Sequence, residues 1–564
     1  MTFQNLEYKR PDQDTVLKHI AELKTQLESA ADEAAFLAAL KAVNELHRDI
    51  ESMASLCYIR HSIDTTDSFY KTEMDHLDEI LPSIMEANQK LQITLLQSPH
   101  RPYLEAVLGK TALDRLELST RTISAAVLDD LVSENKLVSE YSRLLASASL
   151  EFDGKQLNLQ QMGPYLEASS RDTRRAAVDT MFGFYHEHDT VLDDIYDRLV
   201  KIRHKIARTL GFENFVALGY ARMGRTDYDG DMVATYRKQV LQTIVPLACS
   251  LRQKQQVRLG LSRLFYYDEP LSDPKGNPKP LGDTDELMNK ASVMFAELSP
   301  GTDAFFTFMK QAGAMDLIAK PGKETGGYCT FLPNWQMPFI FANFNGTKDD
   351  VEVFTHEGGH AYQAYVTRDD EWLSHHEPGM ETAEIHSMSM EFLTWPWMDL
   401  FFGKDADRFR YNHLADALMF IPYGVAVDHY QHLVYENPAA TPEERRQFWL
   451  DVESTYLPWR DYDENTYLKG GNVWKRQTHI FSAPFYYIDY TLAQVLAFWF
   501  WQAARNDAAK AWQQYDRLCR DGGKLGFRLL LEAHNLPNVF EAGSLDHFIP
   551  AVSAYLESVD PLTL

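Results

Sequence analysis

His356, Glu357 and His360 stand in the run His-Glu-Gly-Gly-His. On a helix, side chains at i and i+4 lie one turn apart on the same face. Two imidazoles placed that way can hold one Zn²⁺ at about 2.0–2.1 Å. Glu357, beside the first imidazole, can then take a proton from a water activated by the metal. The competing reading is a surface helix with two solvated histidines. Gly358 and Gly359 argue against it, because each costs about 1 kcal/mol relative to alanine in a helix interior. Small residues there let something approach the backbone closely.

A catalytic zinc keeps three protein ligands and one open position. The longer HExxHxxGxxH form would supply a third histidine, but Gln363 and Val366 occupy those places. The third ligand therefore comes from downstream. Residues 375–391 offer His375, His376, Glu377, Glu381, Glu384, His386 and Glu391. Pro378-Gly379 predicts a new helix from about Glu381, with no breaker before Pro396. On it Glu384, Met388 and Glu391 share a face, with Ser387 beside them. One carboxylate can bind the metal, and the other can orient a ligand histidine through its second ring nitrogen. Spacing leaves open which does which.

Other elements must position these groups. Helical periodicity dominates: Leu17, Ile20, Leu23 and Leu27 recur at three- and four-residue spacings, as do Phe36, Leu37, Leu40, Val43 and Leu46. Gly326–Phe344 differs, being rich in aromatic and β-branched residues and interrupted by Pro333 and Pro338. That is a strand signature, with proline demoting parts of it to an edge. Asn345-Gly346 marks a sharp turn. Thr347 and Asp350 resemble a capping box that opens the motif helix. The edge strand around Phe339, Ile340, Phe341, Ala342 and Asn343 is expected to receive a peptide backbone to backbone, a mode that reads little side-chain identity. Residues 268–283, with four prolines and two glycines, predict a surface loop or a hairpin turning at Lys275-Gly276-Asn277.

Composition narrows the class. The chain has 564 residues, room for about three or four domain-sized units or fewer large ones. Its formal charge is −26, which disfavours nucleic-acid and anionic-membrane partners. Cys57, Cys249, Cys329 and Cys519 form no CxxC pair and suit a reducing compartment. The N-terminal run carries no apolar signal segment, and no apolar stretch approaches the ~20 residues of a membrane helix. The expectation is a soluble, cytoplasmic, mainly α protein.

The stretches GGY at 326–328, PFIFANFNGTKDDVEVFTHEGGHA at 338–361, METAEIHSMSMEF at 380–392 and HIFSAPFYYIDY at 479–490 resemble the thimet-oligopeptidase-like (M3) zinc metallopeptidases, in the oligoendopeptidase F branch. The resemblance implies a helical ellipsoid with a deep substrate channel and a zincin-type core carrying a small sheet. It implies a helical N-terminal region over 1–200 and a catalytic region over 201–564. The latter would hold the HExxH helix at 349–366, the third-ligand helix at 381–395 and a late His/Tyr segment at 479–500. Glu384 falls where the family has its third zinc ligand, which leaves Glu391 to orient a histidine. His479 falls where the family has a histidine facing the substrate carbonyl. Tyr486, Tyr487 and Tyr490 are the phenol candidates beside it, with Tyr490 first. Core packing is the other reading of that aromatic run, since Val495–Trp501 follows.

The implied activity is zinc-dependent cleavage of internal bonds in short oligopeptides, with one Zn²⁺ per chain and Glu357 as general base. A peptidyl-dipeptidase is a second reading, and it needs a cation such as Arg476 or Lys469 for the terminal carboxylate. A peptide-binding protein with an inactive site is a third, disfavoured by the intact Glu357. His429 and His432 read as packing, and Arg171, Arg174 and Arg175 as a solvated helix face. Gly470-Gly471 reads either as a mobile loop or as a simple turn.

Overall fold

The computed structural model describes residues 1–320 and 322–559. Helices α1 (Gln13–Glu28), α2 (Glu33–Ile63) and α3 (Ser68–Gln97) open the chain. Asp12, Asp32 and Asp67 cap their first turns by accepting backbone N–H groups. Val16, Ile20, Leu23 and Leu27 bury their stripe against Phe36, Leu40 and Val43, with Leu77, Ile80 and Ile84 from α3. Trp372, far along the chain, closes this core. The N-terminal helices therefore pack against the segment that follows the HExxH helix. Leu56 and Ile59, farther along α2, already belong to the larger core that holds the rest of the protein.

A short hairpin of β1 (Leu150–Phe152) and β2 (Lys155–Leu157) precedes α4 (Arg171–Glu187) and α5 (Gly230–Arg258). The arginine face of α4 departs from expectation. Arg174 is 2 % exposed and pairs at 2.6 Å with Asp268, which is fully buried and also takes Arg171. Only Arg175 keeps the expected exposed position, beside Asp463 and Glu464. A guanidinium is buried there because a carboxylate 94 residues later is buried with it. Residues 268–283 form a loop without strands, in which Asn277 Oδ1 accepts from Ser272 N and Gly276 adopts φ 92°.

The sheet before the motif helix has three strands, β3 (Met315–Ile318), β4 (Tyr328–Leu332) and β5 (Met337–Phe344), in the order β3-β5-β4. β5 runs parallel to β3 and antiparallel to β4. Phe339–Asn343, expected at an edge, is thus the central strand, and its backbone cannot take up a further strand. The apolar run Phe339-Ile340-Phe341-Ala342, at most 1 % exposed, is the unalternating pattern of a strand buried on both faces. Pro338 misled only locally. Ile340 N donates to Ala314 O on the β3 side. By the two-residue period, the nitrogen of Pro338 points the same way, beyond the first β3 pair at Met315–Ile340. The free edge nearest the motif helix belongs to β4.

The motif helix is α6 (Asp349–Thr367). Its capping differs from the expected box. Asp350 accepts from Asn345 N and Gly346 N, both at 2.8 Å, while Asn345 Oδ1 accepts from Thr347 N. The turn is thereby tied to the helix without Thr347 Oγ1. Then follow α7 (Met380–Leu393), α8 (Ala406–Glu436), α9 (Tyr487–Asn506) and α10 (Ala508–Asp521). α7 is buried along nearly its whole length.

Gly359 explains how α6 and α7 come so close. A Cβ on it would stand 2.4 Å from His386 O and 2.7 Å from Ser387 Cα. Gly359→Ala should therefore cost about 1–3 kcal/mol through overpacking, despite alanine's better helix propensity. Gly358→Ala should be milder, since its nearest neighbour is Phe295 Cζ at 3.3 Å. Urea midpoints of the two variants check this. A neutral Gly359→Ala would mean that the helices part freely.

Candidate active site

α6 presents His356 and His360 on one face, and α7 presents Glu384 and Glu391 toward them. Glu384 Oε2 lies 3.2 Å from His356 Nε2 and 3.5 Å from His360 Nε2. One ligand-capable atom from each of the three residues falls within 4.8 Å of the others. Burial would raise the Glu384 carboxyl, but His360 and His356 hold it well below the usual carboxylate range. Burial disfavours charge on His356, yet Glu384 and Glu391 hold its pKa well above the ordinary value. The cluster therefore favours positive charge at the point where its three groups converge. Two imidazoles and one carboxylate suit the borderline character of Zn²⁺, so the residues present fit that ion.

Glu384 is oriented from two sides. Ser387 Oγ donates to Oε2 at 2.9 Å and Tyr486 Oη donates to Oε1 at 2.6 Å. Three other downstream candidates are engaged elsewhere, and His386 is buried with neither ring nitrogen hydrogen-bonded among the described residues. His375 contacts Asp370 and Leu108 O, His376 contacts Asp370 O, and Glu381 faces Tyr228.

A chain of hydrogen bonds sets the tautomer of His356. The Trp395 indole N–H can only donate, and it lies 2.9 Å from His413 Nδ1. That nitrogen therefore accepts, which puts the proton of His413 on Nε2, 2.7 Å from Glu391 Oε2. Glu391 Oε1 lies 2.7 Å from His356 Nδ1 and accepts its proton. With Nδ1 turned to Glu391, Nε2 on the Glu384 side is the His356 nitrogen available to a metal. Glu391 thus orients a histidine, as its helix face allowed. His413 and Trp395 escaped the sequence reading. His413 comes from α8, and no local spacing ties it to the motif.

Glu357 is 6 % exposed, and its Oε2 has no hydrogen-bond partner among the described residues. Burial raises its pKa, and His356 and His360 oppose that rise. Gly327, just before β4, sits against it: a Cβ there would stand 3.5 Å from Glu357 Oε1. Cys329 on β4 is close enough for Glu357 to add to the burial that holds its thiol well above the ordinary range. The free edge of β4 therefore runs past the acid of the motif.

The late segment reaches the same place. The His479 ring lies 5.6 Å from that of Tyr486, 5.0 Å from Tyr487 and 5.8 Å from Tyr490. Burial lowers the His479 pKa to about 4, so the imidazole is neutral near pH 7. Tyr423 Oη donates to Gln477 Oε1 at 2.9 Å, and Gln477 Nε2 donates to His479 Nδ1 at 2.8 Å. The proton of His479 therefore sits on Nε2. Neither Gln477 nor Tyr423 was singled out in the sequence. The tyrosines divide: Tyr486 holds Glu384, Tyr487 meets the ring of Tyr423 at 5.9 Å, and Tyr490 stands 4.9 Å from the ring of Tyr486.

His432 contacts Tyr220 and His429 contacts Tyr456, so the two do not form a metal pair. Gly471 has φ 80°, and a Cβ on it would meet Arg446 O at 2.7 Å, so the turn is packed against the helix behind it. Lys469 is exposed.

Residues 3–123 match the family description "Peptidase M3 N-terminal domain", and residues 306–532 match "Peptidase family M3". No curated protein matches the chain. Among solved structures, it is similar to a protein assigned as an oligoendopeptidase F, at 48 % identity, with 100 % of both chains covered and a TM-score of 0.98. It is similar to PZ peptidase A bound to an inhibitor, at 46 % identity over 99 % of this chain and 100 % of that one, with a TM-score of 0.97. A third, assigned as an oligoendopeptidase F from Bacillus anthracis, shares 46 % identity over 100 % and 99 % of the two chains, with a TM-score of 0.93.

Proposed function

Because the chain belongs to peptidase family M3, in its oligoendopeptidase F branch, and is a metallo-oligopeptidase, we propose that it is a zinc endopeptidase cleaving internal bonds of short peptides. The observation that carries the reading is the convergence of His356, His360 and Glu384 beside a buried Glu357 that keeps one oxygen unpaired. Bound there, Zn²⁺ would supply Lewis acidity that lowers the pKa of a water and polarises the scissile carbonyl. Glu357 accepts the water's proton and can pass it to the leaving amine. His479 Nε2–H and Tyr490 Oη–H donate to the oxyanion that develops on the carbonyl. The substrate backbone lies along the free edge of β4, near Gly327 and Tyr328–Thr330. An inactive peptide binder would have no need of the buried carboxylate of Glu357. No described helix is long and apolar enough to cross a membrane. The four free cysteines suit a reducing compartment, so the proposed setting is the cytoplasm.

Incubation with a mixed peptide library, followed by mass spectrometry of the fragments, tests the activity. Internal cuts at varied distances from both ends support the endopeptidase. Release of C-terminal dipeptides alone would replace it with a peptidyl-dipeptidase. Tyr490→Phe should lower kcat and kcat/KM alike by about 10²–10³-fold and leave KM and zinc content unchanged. A raised KM with kcat intact would make Tyr490 a substrate-binding group only.

A further inference from the structure

A cavity of about 280 Å³ lies between α4, α5 and α8 and is lined by Arg252, Arg460 and Arg476. For a chain carrying −26 overall, three guanidinium groups around one small cavity call for an explanation. Two of them are neutralised in part. Glu269 accepts from Arg460 at 2.9 Å and from Arg252 at 3.3 Å, and these arginines hold its carboxyl below the usual range against the effect of burial. Asp416, the other acid on the wall, pairs with Lys348 at 3.4 Å. Arg476 differs. Among the described residues it makes no hydrogen bond and no ion pair, and it rests 5.8 Å from the Tyr266 ring and 5.9 Å from the Tyr423 ring. Arg476 is half-buried, whereas Arg252 Nε and Arg460 Nη1 are buried without hydrogen-bond partners, the latter 4.0 Å from Glu453 Oε1. The wall therefore carries three cations against two anions, with guanidinium N–H groups unsatisfied. The group a ligand can reach is Arg476, which lines the cavity, is only half-buried and faces no anion of its own.

The cavity adjoins the catalytic segment. Tyr423 lines it and donates to Gln477, which orients His479. Tyr487, next to Tyr486 in the chain, packs its ring against Tyr423. A group seated beside Arg476 would therefore stand next to the hydrogen-bond relay that ends at His479.

We propose that this cavity is a carboxylate subsite in which Arg476 anchors an acidic group of the peptide substrate. The proposal rests on the oligopeptidase reading and adds to it a preference that backbone pairing cannot supply. Either the peptide's C-terminal carboxylate or an Asp or Glu side chain provides the required chemistry. A guanidinium fork is suited to either.

Calorimetric binding in the Glu357→Gln background keeps the peptide intact and tests this directly. One arm compares an N-acetylated peptide as free acid and as C-terminal amide. The other compares amidated peptides carrying Glu or Gln at one interior position. With Arg476 present, the charged member of one pair should bind about 10–100-fold more tightly, the range of a charge-assisted bond. The pair that responds identifies the source of the carboxylate. Arg476→Gln should bring the ratio near one, and Arg476→Lys should keep part of it, because a point charge lacks the fork. Equal affinities in both arms with Arg476 intact would overturn the proposal, and that comparison needs no Arg476 variant to fold. An unchanged ratio in folded Arg476→Gln would overturn it too. A native chain that cleaves no peptide would instead defeat the endopeptidase reading, while these affinities would still report on the cavity.

Discussion

Glu357→Gln should lower kcat by about 10³–10⁴-fold, toward the upper end of what general-base catalysis contributes. The amide keeps the shape of the carboxylate and cannot take up the proton. The large effect follows from the neighbours, none of which can stand in. Both oxygens of Glu391 are held by His356 and His413. Both oxygens of Glu384 accept from Ser387 and Tyr486 and face the ligand imidazoles. His479 accepts from Gln477 on its one basic nitrogen. Glu357 is thus the carboxylate of the cluster that has no hydrogen-bond partner among the described residues, and its Oε2 is fully buried. Zinc content by elemental analysis and peptide affinity by calorimetry should match the native chain. Turnover within about tenfold of native would remove Glu357 from the chemistry.

What was legible in the sequence follows the range of each pattern. The 3.6-residue period carries its own geometry, so His356 with His360, and Glu384 with Glu391, were readable as faces of two helices. The opening in α6 was readable too, because two glycines in a helix interior need a reason, and Gly359 supplies one against His386. The order of strands is not local information. The run Phe339–Ala342 has the composition of a doubly buried strand, but Pro338 pulled the reading to the edge, and only the pairing of β3 shows where that edge ends. Partners distant in the chain stayed hidden for the same reason. Arg174 looked solvated because Asp268 is 94 residues away. His413, 22 residues after Glu391, completes the tautomer chain from another helix.

Glu384→Ala should abolish both zinc binding and peptide hydrolysis, and the two losses should travel together. The substitution removes one of three ligand groups and leaves two imidazoles one helical turn apart. It also strips Tyr486 Oη of its acceptor and leaves Ser387 Oγ only the backbone oxygen of residue 384, so the wall that fixed the third ligand loses its order. Neither other carboxylate on α7 can move in. Glu381 faces Tyr228 at 3.5 Å, and Glu391 is held at 2.7 Å by both His356 and His413. An ion that binds only the folded chain raises its stability by mass action. Chelation should therefore lower the Tm of the native protein and leave the Tm of Glu384→Ala nearly unchanged, a readout independent of catalysis. Elemental analysis sets the other condition, since the variant should hold far less than one zinc per chain. Full occupancy in Glu384→Ala would mean that the ligand set has been misassigned. Zinc loss without the matching change in chelator response would mean that the ion contributes to the chemistry and little to the fold.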